Sequence, residues 1–197
     1  FAERDSWPDV LQTPPWHDPP KRPKARIKAS KPTIAPWPGD PDLASANFEA
    51  WQAPAEDAYL ALTVAELVRA PADQILTLWN EYGLNTAKGT RRDFLLLAFK
   101  AGPAAFKAWL ERASVSPLSV VPVLTRFDVP KLAPKFLVWA DENPELRPLV
   151  EAWIARRSDR AIQGLIAGAL GAAFKPRRLC ERRLRAFRDR EPLLAAA

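Results

Sequence analysis

The run "KPRRLCERRLRAFRDR" near the end of this chain sets Arg178, Arg182 and Arg185 at i, i+4 and i+7, so that a helix carries all three guanidiniums on one face. Such a stripe suits recognition: planar guanidinium forks match phosphate oxygens, and a row of them follows a nucleic-acid backbone. Cys180, Leu184 and Phe187 take the same spacing on a different face and form an apolar seam. The plainer reading is a solvated face partly neutralised by Glu181 and Asp189. A second basic tract, Lys21, Arg22, Lys24, Arg26, Lys28 and Lys31, has no intervening acid and lies between Trp16 and Trp37. Aromatics beside positive charge can stack on single-stranded bases. The intervening prolines favour instead a soluble, extended strap whose tryptophans face inward.

Residues for catalysis are scarce. The single histidine, His17, and the single cysteine, Cys180, offer no nucleophile and base pair and no multi-cysteine metal site. His17 reads as part of a proline turn and Cys180 as a small buried hydrophobe. The adjacent carboxylates Asp141-Glu142 and Glu56-Asp57 point to different helix faces, which suits capping rather than acid/base work. "GLNTAKGT" lacks the spacing of a phosphate-binding loop, and neither a GxGxxG nor an HExxH motif is present. The expectation is a protein without catalytic, cofactor or metal residues, not an enzyme. An excess of 29 basic over 23 acidic residues gives a net charge of +6, which permits an acidic partner without requiring one.

The elements that position these residues follow from the punctuation. The chain has 197 residues, begins at Phe1 and holds no methionine, which reads as a fragment of something larger. Residues 1–53 are broken by proline, which fixes φ and removes a donor, so this segment is expected to be an extended Pro/Trp-rich basic strap with a short strand near 25–29. Spaced aromatics such as Trp16 would dock it onto the body. From 54 to 197 the pattern becomes helical with regular breaks, and Asp128, Asn143 and Ser158 read as N-caps. Connections too short for parallel crossovers make the fold all-α. A spacing of successive helix pairs in the range of helical-hairpin repeats predicts HEAT/armadillo-like stacked hairpins preceded by the strap. The longest weakly charged apolar run, 161–174, is shorter than the roughly 20 residues of a membrane span. With one cysteine and no signal-peptide pattern, the cytoplasm is the expected compartment.

In "GLIAGALG" the glycines Gly164, Gly168 and Gly171 share a stripe with Ala161. Interior glycine costs about 1 kcal/mol relative to alanine, so close approach of a neighbouring element at Gly164 and Gly168 is expected to offset that loss. Gly171 reads as the terminator of this helix and Pro176 as the start of the next.

Two passages resemble a known family. "WPDVLQTPPW" is similar to a recurring "LPxVLxxPPW" element. "VEAWIARRSDRAIQGLIAGALGAAFKPRRLCERRLRAF" is similar to the run "AWLxRHP…AxxxLIPxALGKxxxxRRxAExALRxL". Both resemble the large bacterial proteins typified by the molybdate metabolism regulator MolR, which often carry a WGR domain. Arg157-Ser158 in place of His-Pro, Ala167 in place of proline, and Gly171-Ala172 in place of Gly-Lys mark a divergent member. The resemblance implies a helical-repeat segment and carries over no catalytic residue. The expected function is a non-enzymatic helical-repeat scaffold or protein-interaction segment of a larger bacterial protein, with a regulatory role, whose partner is protein or another part of the full-length chain. The alternative is a nucleic-acid-binding module using Arg178, Arg182, Arg185, Lys21, Arg22 and Lys24.

Overall fold

Threonine, proline and glycine punctuate the helices. The computed structural model describes residues 31–44, 46, 63–81, 88–171 and 173–190. Trp16, Lys21, Arg22, Lys24, the strand expected near 25–29 and the strap boundary at 53/54 lie outside the described residues. Thr63 caps α1 (Val64–Arg69): its hydroxyl accepts from the Glu66 amide at 3.3 Å, and the Glu66 carboxylate accepts from the Thr63 amide at 2.7 Å. This reciprocal arrangement satisfies donors that a helix start otherwise leaves free. α2 (Ala72–Glu81) follows Pro71 and buries Ile75, Leu78 and Trp79, the spacing of one helix face. Thr90 repeats the capping device with Asp93 at the start of α3 (Arg91–Ala101). Gly102, at φ 66°, ends α3 in a conformation that side chains disfavour.

A 3₁₀ turn, Gly102–Ala105, leads into α4 (Phe106–Val115), and Pro117 opens α5 (Pro117–Leu124). α6 (Leu132–Glu142) passes through a 3₁₀ turn, Pro144–Leu146, to α7 (Arg147–Arg156), followed by α8 (Ser158–Ala169) and α9 (Phe174–Arg190). The fold is all-α. Proline 122 lies inside α5, and Pro134 lies in the first turn of α6.

The capping expectations need correction. α6 starts after Lys131, beyond Asp128, whose carboxylate instead faces Arg157 and Arg160, each at 3.5 Å. The Asn143 side chain donates back to the Trp139 carbonyl at 3.1 Å, closing the end of α6. Ser158 is the first residue of α8 and makes no capping bond. α8 ends at Ala169, and Gly171 holds its turn with an amide bond to the Gly168 carbonyl at 3.1 Å rather than with a positive φ. Pro176 falls in the first turn of α9, two residues after its start.

Neighbouring helices pack, as α4 does with α5 and α8 with α9, and so do helices two apart, α3 with α5 and α6 with α8. α6 touches α7, α8 and α9. One apolar core runs from Val64 to Cys180. Large rings mark its course: Trp109 meets Trp79 edge-on at 4.9 Å, and Phe136 meets Trp153 at 5.0 Å. The Trp153 indole donates to the Phe127 carbonyl at 3.2 Å, so that this buried polar group is satisfied.

The described part of the strap docks on the connection between α5 and α6. Ile34 forms an isolated antiparallel bridge with Phe127, supported by Ala35 N to Arg126 O at 3.0 Å and Asp128 N to Thr33 O at 2.9 Å. Beyond the bridge, Trp37 is flanked by guanidiniums of Arg126 at 4.2 Å and Arg156 at 4.8 Å from its ring centre. The Asp40 carboxylate receives both Nε and Nη2 of Arg126, a bidentate pair whose side chains are only 5% and 3% exposed.

Candidate polyanion face on the last helix

α9 separates its residues as a period of 3.6 requires. Cys180 is fully buried and Leu184 and Phe187 pack on the core, while Arg178, Arg182 and Arg185 are exposed on the other side. Burial pushes the Cys180 thiol up to about 11, and nearby Glu181 adds to the rise, so it behaves as a packed hydrophobe. In sequence, α9 has eight basic residues against two acidic ones, an excess equal to the +6 of the whole chain.

The surrounding acids are divided unevenly among those cations. Lys175 Nζ lies 2.9 Å from Glu142 and 3.5 Å from Asp141, and the hydrogen bond to Glu142 holds its ammonium above the ordinary lysine range. Arg183 pairs with Glu151 on α7, and Arg177 lies 3.8 Å from Glu181. Arg178, Arg182 and Arg185 form no ion pair among the described residues. Of the two acids expected to neutralise this helix, Glu181 pairs with Arg177 rather than with the arginine stripe, and the Asp189 side chain lies outside the described residues.

Beside this stripe lies a cleft of about 450 Å³ between α6, α7 and α9. Leu137, Ala140, Leu179 and Ala186 supply its apolar wall, and Arg147, Arg182, Arg183, Asp141 and Glu151 complete its lining. Arg147 is fixed by donating Nε to the Ala140 carbonyl at 3.2 Å. Arg147 comes from a different element, so that periodicity along α9 gave no sign of it.

A second, more apolar groove of about 550 Å³ runs between α5 and α7. Leu118, Pro122, Leu146, Pro148, Leu149 and Ala152 line it, with Arg91 and Glu145 at its edges. Leu118 is 46% exposed at the rim.

The glycines predicted to pack do so. Gly164 is buried, and a Cβ there would lie 1.9 Å from the Pro130 carbonyl oxygen. At Gly168 it would lie 2.6 Å from Cys180 Sγ and 2.8 Å from Pro134 Cγ. In "KGT", the Thr90 hydroxyl is occupied by its capping box. Asp141 and Glu142 both face Lys175. Among the described residues no group of three His, Cys, Asp or Glu could hold a metal, and no helix is long and apolar enough to cross a membrane. Comparison with known proteins gives no match to any family model, curated protein or solved structure.

Proposed function

We propose that this chain is a non-enzymatic helical-repeat scaffold, HEAT-like in its stacking, that works in the cytoplasm and offers the α5–α7 groove to a protein partner. The groove carries this reading: its apolar floor lies between α5 and α7, and its edges bear the opposite charges of Arg91 and Glu145. A partner segment with an apolar side chain at its centre, an acid facing Arg91 and a base facing Glu145 matches that pattern, since complementary charges set the register while the apolar anchor supplies affinity. Packing between helices two apart supports the stacked-hairpin reading. The resemblance to the MolR-typified proteins is consistent with it. That motif spans α7 to α9, and its Trp153, Ala161 and Leu165 are core residues.

A photo-cross-linking amino acid at Leu118 tests the groove in cells, with exposed Lys107 as the control position. The expected result is a discrete protein adduct from position 118 alone. It should disappear when Glu145→Arg is added, without loss of thermal stability. Adducts that are identical from both positions, or that persist with Glu145→Arg, would refute a specific groove partner.

A further inference from the structure

The geometry points to a nucleic-acid backbone as the ligand of the exposed arginine face of α9. This goes beyond the groove reading and does not depend on it. Three observations converge. First, the positive excess of the chain is concentrated in α9, and among the described residues Asp141 and Glu142 of α6 engage Lys175, Glu151 of α7 engages Arg183 and Glu181 of α9 engages Arg177. Arg178, Arg182 and Arg185 are left facing solvent.

Second, these cations are arginines, whose forks bind phosphate oxygens bidentately. The face from Arg178 to Arg185 is about 10 Å long at about 1.5 Å per residue. A duplex stretch of that length carries about six backbone charges, more than enough to engage all three side chains.

Third, the apolar face of α9 is already used. Cys180, Leu184 and Phe187 pack on the core, whereas a helix lying in a lipid surface must turn its apolar face outward. Phosphate contacts alone position a protein without reading bases. Binding through this face is therefore independent of sequence and sensitive to salt.

The test is an anisotropy titration of the whole chain with duplex DNA, single-stranded DNA and RNA between about 50 and 200 mM salt. Two variants are compared with the parent: Arg178→Gln/Arg182→Gln/Arg185→Gln and Lys21→Gln/Arg22→Gln/Lys24→Gln. The α9 variant is expected to bind at least about tenfold more weakly at low salt, and its slope of log affinity against log salt should shrink by about 3, one for each lost phosphate contact. The second variant should retain the parent's binding by the α9 face. If instead the second variant alone loses binding, the α9 inference is overturned while nucleic-acid binding by the chain stands. Equal affinity and slope for polyglutamate would assign the face to acidic protein. Sedimentation only with phosphatidylserine vesicles would assign it to a membrane surface. Absence of binding to any nucleic acid at low salt would overturn both the site and the ligand class.

Discussion

At Gly164 the neighbour is backbone, and at Gly168 it is side chain, which separates the two substitutions. The Pro130 carbonyl, 1.9 Å from a Cβ at Gly164, cannot move without shifting the start of α6. Cys180 Sγ and the Pro134 ring at Gly168 have more freedom. Alanine restores about 1 kcal/mol of helix preference at either position, yet overpacking costs about 1 to 3 kcal/mol and sometimes more. Gly164→Ala is therefore expected to destabilise by about 2 to 3 kcal/mol, and Gly168→Ala by about 1 kcal/mol, in urea titrations. Equal or greater stability in either variant would show that close packing is not the reason for glycine there.

α1 has only six residues and α3 eleven, and helices this short are not stable alone in water. Their entry caps matter because the first-turn amides have no partner within the helix. Thr90→Ala is expected to lower stability by about 1 kcal/mol, and Thr90→Ser to retain most of it, because serine keeps the capping oxygen. Thr63→Ala should behave similarly. A denaturation midpoint unchanged in both alanine variants would mean that packing against the core alone fixes these starts.

Across the whole molecule, the Asp40–Arg126 pair joins strap to body over 86 positions of sequence. Burial pushes the Asp40 carboxyl up, but hydrogen bonds from Arg126 and the Trp37 amide, with the charge of Arg126, outweigh it and hold the group below its ordinary value. A carboxylate depressed in the folded state stabilises fully above its unfolded pKa of about 3.9 and loses that contribution as pH falls through the lower folded value. Acidification below about pH 4 should therefore weaken the parent, and Asp40→Ala should remove that part of the acid sensitivity. At pH 7, Asp40→Ala is expected to cost about 3 to 5 kcal/mol because it strands a buried guanidinium. Adding Arg126→Met should recover part of the loss. A double variant no more stable than Asp40→Ala would argue against that account.

The all-α fold, the arginine stripe opposite the apolar seam of α9, and the need for close contact at Gly164 and Gly168 could all be read from sequence. Each is a local consequence of period 3.6 or of backbone preference, which a short run of residues displays by itself. The sequence could not name what fills the space beside those glycines, because Pro130, Pro134 and Cys180 arrive there only through the packing of α6, α8 and α9. Side-chain partnerships were equally hidden. Asp128 resembled an N-cap, yet two arginines, Arg157 at the α7–α8 junction and Arg160 on α8, claim it. Neither Arg126 nor its acid could be recognised as a buried pair, since burial depends on the strap crossing that point. The same applies to the candidate face: α9 displays its arginines in order, but Glu151 on another helix takes Arg183 and leaves Arg182. Periodicity fixes which residues share a face, whereas charge pairing and desolvation depend on atoms a few ångströms apart in space, and only tertiary packing sets those neighbours.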